Sequence, residues 1–259
     1  MIRIFVGTAP NGEDAESQAV LEHTIRNHAS EPVQIEWMRL QHEGFWSGWN
    51  TTRWPTPFSA FRWGIPARCG FEGRAIYMDS DIIVLGDIAE LWRQDFAPGK
   101  AVLAKHGGRL CVSLWDCEAA QKHMLPIDKL RSDPESHRNM GLKSKTSGIV
   151  GTFEGNWNCL DGENFQNIED PAIKAIHYTD MSCQPQLKYA LPRLAAAGQK
   201  HWFDGTVRAH PRRDLQKLFD RLLSEAIEAG YTPESYLPRE PFGDFRKKSL
   251  VNYKGGRAA

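Results

Sequence analysis

The segment GRAIYMDSDIIV, residues 73–84, sets two carboxylates, Asp79 and Asp81, one residue apart in a run otherwise apolar enough to be a buried strand. Burying a charge without a partner is costly, so something must compensate both acids. On a strand, alternate side chains share a face, with Cα atoms about 6–7 Å apart, so the two acids point the same way. Their oxygens then reach one hard divalent cation, directly or through water, and the cation supplies the compensation. The alternative is a pair of structural acids balanced by protein groups alone. The tripeptide arises by chance about once in a chain of this size. The weight therefore rests on its context, an apolar strand before it and an apolar run after it. Open parallel sheets bind ligands beyond the carboxyl ends of their strands, and the pair falls at such an end.

The elements that must position these acids alternate between strand and helix. Residues 2–7 read as a short buried strand ending in GTAPNGED, a loop of turn formers. Asp14 is placed to cap AESQAVLEHTIRNH, where Ala15, Ala19, Val20 and Ile25 follow helical spacing. After Pro32, the residues Val33, Ile35 and Trp37 alternate with polar ones as in a strand. Strand, helix, strand from the first residue onward is how a parallel, helix-covered sheet begins. FSAFRWGI reads as a short helix ahead of Pro66. Downstream follow a helix in DIAELWRQ capped by Asp87, strands in AVLAKH and CVSLW, and a helix in CEAAQKHML. SGIVGTF and AIHYTD are further strands. Over residues 211–229, Leu215, Leu218, Phe219, Leu222, Leu223 and Ile227 form a helical stripe stopped by Gly230.

Residues 44–57, GFWSGWNTTRWPTP, carry Phe45, Trp46, Trp49 and Trp54 among glycines, threonines and prolines, without usable periodicity. Long ordered loops of this kind are often functional. The flat apolar faces of Trp46 and Trp49 are candidate stacking surfaces for a ring-shaped ligand. The competing reading is a self-packed loop whose tryptophans are core.

Lys+Arg and Asp+Glu are equal at 32 each, so no net field draws the chain to nucleic acid. The five cysteines, Cys69, Cys111, Cys117, Cys159 and Cys183, are odd in number and scattered without a C-x-x-C pair. That speaks against a disulfide framework or zinc knuckle and for a reducing compartment. The opening MIRIFVGTAP has too short an apolar run for a signal peptide, and no stretch approaches a membrane span. A cytoplasmic location is the expectation. The tail, with Phe242, Phe245, Arg246, Lys247, Lys248, Lys254 and Arg257, leaves two readings open. One is peripheral contact with an anionic bilayer, the other a solvated tail.

GRAIYMDSDIIVLGDIAELW resembles the D-x-D region of retaining glycosyltransferases of family 8, which include glycogenin and bacterial lipopolysaccharide galactosyl- and glucosyltransferases. The likeness extends to IRIFVGT, to TPFSAFRWGIPARCGFEGRAIYMD, and to HYTDMSCQP at residues 177–185. It spans roughly the first 200 residues. The resemblance implies a GT-A (Rossmann-like) α/β domain over residues 1–205, with a mostly parallel sheet flanked by helices. A C-terminal helix and basic tail occupy residues 206–259. It also implies a nucleotide-sugar donor, UDP-linked, with Mn²⁺ as cofactor (Mg²⁺ as the alternative) and a saccharide or glycolipid acceptor; because sugar rings stack on flat apolar faces, Trp46 and Trp49 are then the candidate acceptor contacts.

Position by position, the resemblance makes Asp79 and Asp81 metal ligands and His177 the third, a mixed carboxylate and imidazole set that suits Mn²⁺. Arg62 matches a basic residue near the donor diphosphate, an apt role for a bidentate donor. Gly7 and Thr8 end the first strand where the family holds uracil and ribose, Gly7 allowing close backbone approach. Ser80 points away from the acids, leaving a backbone contact to the ribose. Trp157, Asn158 and Asp161 in NWNCLDG resemble a family block before the histidine motif, with Asn158 a contact to sugar hydroxyls. A turn built from Asn, Asp and Gly explains that block equally well. Gln184 and Lys188 fall where the family's histidine motif reaches a diphosphate-binding lysine. Asp161 and Asp133 are the candidate carboxylates beside the reacting sugar.

Three departures stand out. Ala9 takes the place of a uracil-contacting aspartate, Cys183-Gln184-Pro185 replaces the usual run to lysine, and the family's acceptor-side N-A-G strand and D-Q pair have no clear counterpart near Leu110-Cys111 or Asp133-Pro134. The implied chemistry is metal-assisted departure of the diphosphate, with retention at the anomeric carbon by front-face attack. Two rivals remain at this level. One is a nucleotide-sugar-binding protein with weak or no transferase activity. The other is a haloacid-dehalogenase-like phosphatase using Asp79 as nucleophile.

Overall fold

Strand β1 (Ile2–Gly7) is apolar on both faces because both are covered. Ile2, Ile4 and Val6 pack with Leu21 and Ile25 of helix α1 (Ala15–His28), while Phe5 looks to the opposite side, into an aromatic layer. Strands β2 (Val33–Met38) and β3 (Arg74–Asp79) flank β1 in parallel. The computed structural model that shows this describes residues 1–163 and 167–242. Phe245, Arg246, Lys247, Lys248, Lys254 and Arg257 of the basic tail lie outside the described residues.

A single 3₁₀ turn at Phe61–Gly64 runs into α2 (Ile65–Arg68), so the short helix expected to stop before Pro66 passes through it. Proline is tolerated there because the first-turn N–H has no intrahelical partner to lose. After β3 the chain bends at Ser80 and Asp81, and β4 (Ile82–Val84) departs for a second sheet. Asp79 and Asp81 therefore do not share one strand, as their spacing suggested. The chain continues through α3 (Ile88–Trp92), β5 (Val102–Lys105), β6 (Arg109–Asp116) and α4 (Cys117–Ala120). Then come α5 (Ile127–Ser132), α6 (Ser136–Thr146), β7 (Val150–Thr152), β8 (Cys159–Leu160) and β9 (Ala175–His177). Helices α7 (Leu187–Ala196) and α8 (Arg213–Glu228) complete the set.

The central sheet has the order β2-β1-β3-β6-β5-β7, and the second sheet β4-β9-β8. Of the central strands only β6 runs against its neighbours, so the sheet is mostly parallel, as the opening strand-helix-strand pattern implies. Asp87 caps α3 as expected, accepting from the Ala89 amide at 3.0 Å. Asp14 does not cap α1. Its carboxylate turns back to the preceding loop, accepting from the Ala9 amide at 2.7 Å and the Thr8 hydroxyl at 3.2 Å. The apolar stripe of α8 lies buried with Ala15, Ala19 and Val20 of α1, apart from Ile227, which faces solvent. Gly230, at φ 92°, ends α8 and lets the Tyr231 amide return to the Ala226 carbonyl.

Candidate active site

The two sheets meet where β3 ends. Parallel register sets Asp79 beside Gly7 of β1, and antiparallel register pairs Met78 with Val112 of β6. One step further along that ladder, Cys111 stands across from Asp79 on the same face. From the second sheet, Ile82 of β4 pairs with His177 of β9, which draws Asp81 and His177 together. The Tyr178 amide fixes this junction by donating to the Asp81 carbonyl at 3.0 Å.

Each acid has its own partner. Asp79 accepts from the Tyr77 hydroxyl and, at 3.2 Å, from Arg62 Nη2. Arg62 is itself buried; its Nε donates to the Ser59 carbonyl at 2.9 Å, and its guanidinium lies 4.4 Å from the centre of the Tyr77 ring. Asp81 faces Nε2 of His177 at 3.3 Å through Oδ1, while Oδ2 accepts from the Gln184 amide. Burial raises the pKa of Asp81, with His177 only partly offsetting it. Burial lowers that of His177, but the neighbouring carboxylate of Asp81 more than offsets it and holds the imidazole above its ordinary value. Each group therefore holds a proton more tightly than it would in water.

Two details say that a cation fits here. Asp81 Oδ1 is buried without a hydrogen bond. His177 Nδ1 lies 2.9 Å from Oδ1 of Asn158, so Nδ1 donates and Nε2 is the atom left to face the acids. A histidine whose far nitrogen is pinned by a side-chain carbonyl is arranged as metal-ligating histidines are. Ligand atoms of Asp79, Cys111 and His177 all lie within 4.8 Å of one another. Carboxylate, thiolate and imidazole donors together suit a divalent transition ion.

The other expected residues divide. Gln184 and Asn158 are drawn in, both buried, but Asn158 holds His177 instead of facing a sugar. Ser80 is buried and its hydroxyl reaches Asp14. Thr8 is fully buried, its hydroxyl given to Asp14 and its amide to the Met38 carbonyl. At Gly7 an added Cβ would meet the Phe58 ring at 2.8 Å and the Tyr77 hydroxyl at 2.9 Å. The protein's own packing therefore demands glycine there.

Asp161 spends both oxygens: Oδ1 accepts from the Thr179 amide and hydroxyl, and Oδ2 from His210 at 3.1 Å. Burial acts to raise its pKa, but these hydrogen bonds hold the carboxylate below its usual range and make it an anchor for the strand that carries His177. Asp133 accepts from the Glu135 amide in the turn between α5 and α6, and makes no hydrogen bond or ion pair to the Asp79–His177 group. Lys188 is exposed and reaches Asp220 of α8 at 3.0 Å, not the acids. Trp46 and Trp49 correct the acceptor reading. Both are buried in a cluster with Trp54 and Phe61, their N–H groups donating to Glu36 and to the Phe45 carbonyl, and they offer no ring face to a sugar.

Sequence reasoning missed Tyr77, Cys111 and Asp14. Tyr77 carried a usable signal, since it stands two residues before Asp79 on the same strand and so shares its face, whereas Cys111 lies on β6 and meets Asp79 only through strand pairing. Asp14 lies under Ala9, so a buried carboxylate still serves the loop where the resemblance puts one. Burial pushes it up to about 6, and pushes Glu13 beside it up to about 7.

No protein-family model matches the chain. The Arabidopsis thaliana protein named Protein CDI is 27% identical over 206 residues, 68% of this chain and 77% of that protein. The galactosyltransferase LgtC, solved with donor and acceptor sugar analogs, superposes with a TM-score of 0.55 at 10% identity, covering 86% of this chain and 96% of that one. The glycosyltransferase GlyE of Streptococcus pneumoniae superposes with a TM-score of 0.54 at 14% identity, over 93% of this chain and 66% of that one. At these identities the likeness carries the fold: the chain has the mixed α/β architecture of GT-A glycosyltransferases.

Proposed function

We propose that this chain is a metal-dependent glycosyltransferase that moves a hexose from a UDP-linked sugar to a hydroxyl of a saccharide or glycolipid, with retention. The observation that carries the reading is the meeting of Asp79, Asp81 and His177 at the carboxyl end of β3, with one buried acid oxygen unbonded and one imidazole nitrogen aimed at it. The GT-A architecture supports it, because ligands of open α/β sheets gather at such strand ends. Asp79, Asp81 and His177 would hold the divalent cation, Mn²⁺ or Mg²⁺ on the family resemblance, and a cation there supplies positive charge to a departing diphosphate. Arg62, anchored by Ser59 and Tyr77, contributes fixed positive charge beside the same acids, suited to a phosphate oxygen. Gln184 and Asn158 keep Asp81 and His177 in place.

A panel of nucleotides and nucleotide sugars, with and without Mn²⁺, tests the reading by thermal shift. UDP should raise the melting temperature only with the cation, and Asp81→Asn should abolish the rise. A ligand at one hundred times its Kd stabilises by about 2.7 kcal/mol, which is readily measured. If no nucleotide stabilises the protein under any metal, the proposal fails. NMR of the product anomer then decides retention.

A further inference from the structure

We infer that Cys111 is a ligand of the same cation through its sulfur, which biases the site toward a borderline-soft ion such as Co²⁺ or Zn²⁺. The inference rests on the metal reading of Asp79, Asp81 and His177 and adds a donor to it. Antiparallel register carries Cys111 to the place opposite Asp79, and its sulfur lies within 4.8 Å of ligand atoms of both Asp79 and His177. Cys117, Cys159 and Cys183 are buried, whereas Cys111 and the distant Cys69 are partly exposed.

The second, independent observation is the unbonded Oδ1 of Asp81, which faces the same imidazole nitrogen. Charge allows it: with the sulfur bound as thiolate and His177 as neutral imidazole, Asp79, Asp81 and Cys111 are three anionic donors against the guanidinium of Arg62. A divalent cation balances the remainder, and the thiol proton leaves to solvent when the sulfur binds. Thiolate selects softer ions, while carboxylates alone suit Mg²⁺ and Mn²⁺.

Titration of the full chain with Co²⁺, followed by absorption, tests this directly. Wild type should show visible d–d bands together with a near-ultraviolet sulfur-to-cobalt charge-transfer band. Cys111→Ser should keep the d–d bands and lose the charge-transfer band, with Co²⁺ affinity down about tenfold or more and Mn²⁺ affinity changed less than about threefold. Cys69→Ser, altering the other partly exposed thiol, should leave the spectrum intact, and His177→Ala should remove it. Circular dichroism and the melting temperature of each variant report that it folds. Should wild type show d–d bands without charge transfer, the cation site stands and Cys111 is not its ligand. Should wild type show no cobalt bands at all, the cysteine assignment falls together with the metal reading beneath it.

Discussion

Two regions of this molecule look functional in the sequence, and they resolve in opposite ways. The aromatic segment around Trp46, Trp49 and Trp54 closes on itself: the rings meet edge-on at centroid separations of 5–6 Å, and the indole N–H groups of Trp46 and Trp49 are bonded within the fold. The junction of β3, β4, β6 and β9 does not close. It gathers Asp79, Asp81, Cys111 and His177, matches Asp79 with Arg62, and leaves an oxygen of Asp81 and an amide nitrogen of Asn158 buried without hydrogen bonds. Apolar groups are satisfied by packing, whatever their neighbours. Buried polar groups need specific partners, and where they run short among clustered acids and an imidazole, a cation is the partner that would satisfy them. Exposed-looking aromatics are therefore weaker evidence of a binding surface than incompletely satisfied buried acids.

The largest expected effect lies in the aromatic region. Trp49→Ala removes a buried ring packed against Trp46, Trp54 and Phe61, and a cavity of that kind costs about 3–5 kcal/mol of stability. Urea unfolding measures it. A protein that keeps nearly all its stability and shows only a weakened acceptor KM would restore Trp49 to a binding surface and break the contrast.

The loop between β1 and α1, where Glu13 and Asp14 lie, should show a pH signature that the aromatic region lacks. Glu13 is buried, bonded to the Asn11 amide, and raised to about 7 from an ordinary 4.5 by burial and by Asp14. A carboxyl whose folded pKa lies above its unfolded one binds its proton more tightly when folded, so its contribution is fullest below about 4.5 and is lost as pH rises toward about 7. The shift corresponds to about 3 kcal/mol across that window. Glu13→Gln cannot titrate and should flatten this part of the profile of unfolding free energy against pH. An unchanged slope between wild type and variant would remove Glu13 as its source.

What could be read from the sequence follows from the range of each interaction. Helix α1 matches its expected span because spacing through Ala15, Ala19, Val20 and Ile25 is local. Asp87 caps α3 for the same reason. The acids were visible as carboxylates out of place in an apolar run, but their relation was misread, because the bend at Ser80 and Asp81 is set by where β4 pairs and not by the tripeptide. Cys111 was hidden for a related reason: it reaches Asp79 only through strand register, and no spacing along the chain encodes which residue of β6 lies opposite. Asp14 illustrates competition, since a good capping residue gave its carboxylate to the Ala9 amide and the Thr8 hydroxyl instead. Lys188 sits next to a motif along the chain yet points to α8, because α7 carries its side chain toward Asp220.

The smallest effect is the most discriminating. Asn158 is fully buried between β8 and Lys105, and Oδ1 is the group that fixes the His177 ring. Were the block containing it a plain turn, truncation would cost stability alone. If Asn158 positions a metal-ligating imidazole, Asn158→Ala should weaken Mn²⁺ or Co²⁺ binding by about 10- to 100-fold, the range seen when such outer partners are removed. Asn158→Asp retains an acceptor for Nδ1 and should return the affinity to within about threefold of wild type. Isothermal titration with the metal alone separates the two roles, since a purely structural asparagine would leave the affinity of the folded fraction untouched. Stability must fall as well, because the Nδ1 hydrogen loses its partner in the interior, at about 1–3 kcal/mol. The decisive quantity is thus the rescue by aspartate: restored stability without restored metal affinity would reduce Asn158 to a turn residue.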